Sequence, residues 1–177
     1  MKLWKLILFL IISYLWWFIF TDFHLSGWTP DESILLGVLA IILYVAGYAL
    51  IGFLAGISAR EKPLESVLII AIFAQIVGLL AGLYLLPISF FHPSIKDIGR
   101  YGGYPTAIMH IALIAWSVPF GVIEWIISDP FLDFFDCITP FILTSVMVLS
   151  GLLGVKLRKR SKEKKIAISR KTGGNLL

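Results

Sequence analysis

Five runs of apolar residues occupy most of the chain, and the short stretches between and after them carry nearly all the charge. The runs cover residues 3–20, 34–57, 67–90, 105–127 and 138–155. Each approaches the ~20 residues that a helix needs to cross ~30 Å of hydrocarbon. None holds Lys or Arg in its middle. Inside lipid every backbone N–H and C=O must be satisfied within the protein, and a helix does this within one segment. The pattern predicts an all-α membrane protein, a bundle of five transmembrane helices. The alternative is four full spans plus one re-entrant segment. The fourth run is then the broken one, because it contains His110, Pro119 and Glu124.

Small residues mark where such helices touch. Lipid gives helices no hydrophobic reason to associate, so they pack where small side chains let backbones approach. The runs after the first carry small residues at alternating steps of four and three. The expected packing positions include Gly47, Gly52, Gly56, Gly78, Gly82, Gly121 and Gly151. Gly52 and Gly56 form a GxxxG pair, usable inside the bundle or for a homo-oligomer. The first run has only Ser13 as a small residue and belongs at the bundle edge, facing lipid or a membrane-protein partner. Its Trp16, Trp17, Phe18 and Phe20 read as an interfacial aromatic belt. No small-x-small cleavage site follows it, so it reads as a retained span rather than a signal peptide.

Composition agrees with this solvent. Of 177 residues, 59% are hydrophobic, and the mean hydropathy is +0.93. A soluble domain this small could not hide so much apolar surface. Residues 1–156 read as one transmembrane domain, and residues 157–177 as a basic, disordered tail. The single cysteine, Cys137, excludes an intrachain disulfide.

Charge sets the orientation. With five spans, Lys96, Arg100 and the nine basic residues from Lys156 to Lys171 share a side. Lys2, Lys5, Arg60 and Lys62 take the other. The basic excess marks the cytoplasmic side, which places the tail there and the N-terminus outside a cell membrane. The lysine-rich N-terminus sits poorly with an external position. The segment Lys156, Arg158, Lys159, Arg160, Lys162, Lys164, Lys165 would meet anionic lipid headgroups. That accounts for it without nucleic acid.

Candidate chemistry concentrates in the fourth run. His110, Ser117 and Glu124 are seven residues apart and share a helix face with Gly103, Ala107, Ile114 and Gly121. Ionisable groups in a membrane turn inward to partners or water, and Gln75 on the third run is the natural cross-helix partner. Ser117 and His110 are ~10 Å apart along a helix, so they form no catalytic dyad. Asp129, Asp133 and Asp136 fall at i, i+4 and i+7 near the last loop. Carboxylates alone do not specify a metal, so no metal or cofactor is expected. Walker, dinucleotide, GxSG and HExxH motifs are absent. The reading is a small polytopic membrane protein, a transport component or a subunit of a membrane complex. The competing reading is a membrane-embedded enzyme acting on a lipid-like substrate at the acidic loop.

Overall fold

The computed structural model describes residues 1–25, 34–60, 62–91, 103–117 and 132–173, and every element among them is an α-helix. In chain order these are α1 (Leu3–Leu25), α2 (Ile34–Ser58), α3 (Pro63–Ala74), α4 (Ile76–Phe91), α5 (Gly103–Ser117) and α6 (Leu132–Gly173). Three of them, α1, α2 and α6, are long and apolar enough to cross a membrane. A fourth crossing is available if α3 and α4 count as one span bent by 67°. The fourth expected span, residues 105–127, is not supplied in full by a described helix. Its described part, α5, has 15 residues, a rise of ~22 Å, short of the hydrocarbon thickness.

The core forms where α2 meets α6. A Cβ on Gly52 would lie 2.3 Å from the Met147 carbonyl oxygen, and one on Gly56 2.0 Å from that of Gly151. The two backbones are in direct contact, and any side chain at Gly56 would separate them. Gly154 meets Phe53 and Ile57 in the same register, so α2 and α6 run parallel. Both partners of the GxxxG pair are therefore used inside the bundle. Tyr44, Tyr48, Ile51, Leu143 and Met147 are buried along this seam. The α3 helix packs beside it, with Val67 against Gly151.

The α4 helix runs antiparallel to α6, with Gly78 against Pro140 and Gly82 against the Cys137 carbonyl. The α5 helix returns along α4. Tyr84 and Thr106 hydroxyls are 3.3 Å apart near its start, and Trp116 meets Gly78 near its end.

One end of the bundle collects both terminal segments. Met1, Lys2, Trp4 and Lys5 share a recess with Ser58 and Arg60. Arg158 donates its guanidinium to the Ala59 carbonyl, an acceptor beyond the last turn of α2. The opposite end holds the buried cluster of Ala81, Leu85, Leu113 and Cys137.

Two expectations change. The basic segment is helical to Gly173, not disordered. It extends a helix already formed, so it bears no nucleation cost, and Lys, Arg and Glu are good helix formers. Trp16 and Trp17, read from the sequence as part of an interfacial belt, pack against other helices. Trp16 fills the space over Gly47 and donates to the Tyr44 carbonyl at 3.1 Å. Trp17 stacks on Trp116, with centroids 4.7 Å apart. Helix α1 continues past both to Leu25, so they sit within the bundle. Its other face exposes Leu3, Ile7, Ile11, Leu15, Phe18 and Ile19.

Candidate functional site

The break between α3 and α4 falls on Gln75, in a helix with no proline near that point. Gln75 has φ −112° and ψ 7°, outside helical values. Its N–H turns to the Ile72 carbonyl, 3.2 Å away. The Phe73 carbonyl is taken by the Tyr14 hydroxyl of α1 at 3.0 Å. A side chain inserted into the helical ladder is a recognised cause of a sharp kink. Irregular backbone at membrane depth survives only where protein or a polar cavity covers it, and here α1, α2 and α5 do so.

The Gln75 side chain is fully buried. Its Oε1 accepts a hydrogen bond from the indole N–H of Trp116. An indole can only donate, which fixes the amide orientation. Nε2 therefore points the other way, and it has no hydrogen-bond partner among the described residues. The Tyr48 hydroxyl is also buried, beside the Gln75 amide and Tyr44. Tyr44 and Tyr48 rings meet edge to face at 5.1 Å, and Tyr14 meets Trp116 likewise at 6.2 Å. Two buried polar side chains, Gln75 and Tyr48, thus lie close together within an aromatic enclosure.

Chemically this centre offers hydrogen bonds and no fixed charge. An amide donor and a phenol suit a water molecule or a neutral polar group. They do not compensate an ion. The described residues contain no group of three or more His, Cys, Asp or Glu able to hold a metal.

The expected site residues divide as follows. Gln75 lies at the centre. His110 and Ser117 lie on α5, and Asp133 on the first turn of α6, with only their backbones described. Glu124, Asp129 and Gly121 are outside the described residues. Asp136 is buried beside Cys137 at the start of α6. The buried positions of α5 include Thr106, Leu113 and Trp116, while Ala107 is exposed. Tyr14, Tyr48 and Trp116 escaped the sequence reading. The available signal was hydrogen-bonding aromatics deep in apolar runs, with Tyr44 and Tyr48 one helical turn apart.

No family model matches the chain, and no curated protein or solved structure matches it either.

Proposed function

We propose that this is a multi-pass cell-membrane protein with both termini cytoplasmic, and that it acts as a transport component for small neutral polar solutes. The observation that carries the solute reading is the helix break at Gln75, beside which the Gln75 amide nitrogen and the Tyr48 hydroxyl are buried with no well-aligned hydrogen bond among the described residues. Broken helices place irregular backbone and polar groups at mid-membrane depth, where transporters bind their cargo.

Charge supports the orientation. The N-terminus, the α2–α3 connection and the emerging part of α6 share one end. Four spans with a re-entrant fourth run then put Lys2, Lys5, Arg60, Lys62 and all nine basic residues from Lys156 onward together. Only Lys96 and Arg100, of 15 Lys and Arg, remain for the other side. This is a sharper asymmetry than five spans give, and it removes the awkward external N-terminus.

The test is reconstitution of the full chain in vesicles, with urea, glycerol and water followed by light scattering and protons by an internal dye. Flux of a neutral solute above protein-free vesicles, lost in Gln75→Leu, is the expected result. No neutral flux, or flux indifferent to Gln75→Leu, overturns the reading.

A further inference from the structure

The bundle end that gathers the chain's N-terminus holds a recess of about 510 Å³ lined by Met1, Lys2, Trp4, Lys5, Ser58 and Arg60. Three cationic side chains, Lys2, Lys5 and Arg60, converge there from the start of α1 and the segment after α2. No carboxylate among the described residues lines it. The nearby Glu65 is already paired with Lys62 at 3.1 Å. Lys5 lies over the Trp4 ring, 5.4 Å from its centre, so part of the wall is aromatic and part cationic.

An open, shallow groove of about 440 Å³ lies on the surface of α1, lined by side chains of that helix alone, among them Ile7, Ile11, Tyr14, Leu15 and Phe18. It is almost wholly apolar. Trp4, Ile7, Ile11, Leu15 and Phe18 recur at steps of three and four, so they form one helix face. That face leads from the basic recess into the apolar groove. From Ile7 to Phe18 the helix rises ~16 Å, about half of the ~30 Å hydrocarbon core and so one leaflet deep.

We infer that the recess and the groove together are a binding site for one anionic phospholipid. Its phosphate sits among Lys2, Lys5 and Arg60, and an acyl chain lies against Ile7, Ile11, Leu15 and Phe18. The charge selects a phosphate group, and the groove selects a phosphate that carries a hydrocarbon chain. Arg supplies a planar fork that matches phosphate oxygens, and the lysines add point charge. This site is separate from the basic part of α6, whose attraction for anionic headgroups needs no recess. The inference rests on the membrane reading but not on transport.

The experiment begins by showing that the full chain resists alkaline extraction from membranes, which tests embedding alone. The purified chain is then placed in nanodiscs of mixed phosphatidylglycerol and phosphatidylcholine, and retained lipid is read by native mass spectrometry. The expected result is retained phosphatidylglycerol, reduced about fivefold or more in a Lys2→Gln, Lys5→Gln, Arg60→Gln variant. Lys162→Gln, Lys164→Gln, Lys165→Gln should leave it in place. Ile11→Trp, which fills the groove without altering charge, should also release it. Equal retention of both lipids overturns the site, as does equal loss in the recess and α6 variants. Inorganic phosphate displacing the lipid, with Ile11→Trp having no effect, overturns the lipid and leaves a free-phosphate site. If the recess variant fails to fold, Ile11→Trp and added phosphate still decide the matter.

Discussion

The Trp116 indole N–H donates to the Oε1 of Gln75 across the junction of α5 with the α3–α4 break. Both side chains are buried, so neither can replace the other with water. Trp116→Phe should strand the amide oxygen and cost ~0.6–2 kcal/mol, the range for polar contacts between membrane helices. Gln75→Leu added to Trp116→Phe should recover part of that loss, because an apolar pair leaves nothing unsatisfied. Reversible unfolding in detergent of the two single variants and the double variant measures the coupling. Strict additivity would mean that the bond contributes nothing.

The Tyr14 hydroxyl donates to the Phe73 carbonyl just before the kink. Tyr14→Phe returns that carbonyl to the helical ladder, and the α3–α4 pair should straighten from its 67° bend. Spin labels at the exposed positions Leu64 and Leu83, on a Cys137→Ser background, should move apart by roughly 4 Å. An unchanged distance would place the cause of the bend elsewhere.

Gly56 leaves no room for a side chain, since a Cβ would lie 2.0 Å from the Gly151 oxygen. Gly56→Ala should destabilise the bundle by ~1–3 kcal/mol, the usual cost of overpacking. Ala46→Val, on an exposed part of the same helix, should stay within ~0.5 kcal/mol. Thermal unfolding of both variants gives the comparison.

Arg158 anchors α6 to the Ala59 carbonyl beyond the end of α2. Cations at a helix C-terminus are favourable, and a charged donor is stronger than a neutral one. Arg158→Gln should cost ~1.5 kcal/mol or more and speed hydrogen exchange at residues 59–62. Arg158→Lys should restore only part of this.

Orientation is checked by labelling. On the Cys137→Ser background, cysteines at Lys2 and at Ser161 should both resist an impermeant reagent applied to intact cells. One at Asp133 should react. Labelling of Lys2 alone among the first pair would restore an odd number of spans.

The apolar runs made the helices readable, because lipid demands both length and hydropathy. Small residues at helical spacing drew attention to Gly52, Gly56, Gly82 and Gly151, where backbones approach closely. The break at Gln75 was not readable. It has no proline or glycine of its own, and the side chains that meet it are distant in sequence, Tyr14 by 59 residues and Trp116 by 41. Of the fourth run only the helix Gly103–Ser117 is described, which is too short to be a span by itself. The helical state of residues 157–173 was hidden by composition, which describes a free tail and not the continuation of a helix.

The α2–α6 pairing also dictates an order of assembly. Gly52 and Gly56 belong to the second helix made, and Met147 and Gly151 to the last. Nearly a hundred residues must be synthesised before the two can meet. Until then the glycine face of α2 lies bare in the bilayer, and it is the kind of surface on which helices of separate chains pair. Closure of the bundle is therefore a late step in the life of each chain. A chain cut short before residue 132 would offer that face to its neighbours instead.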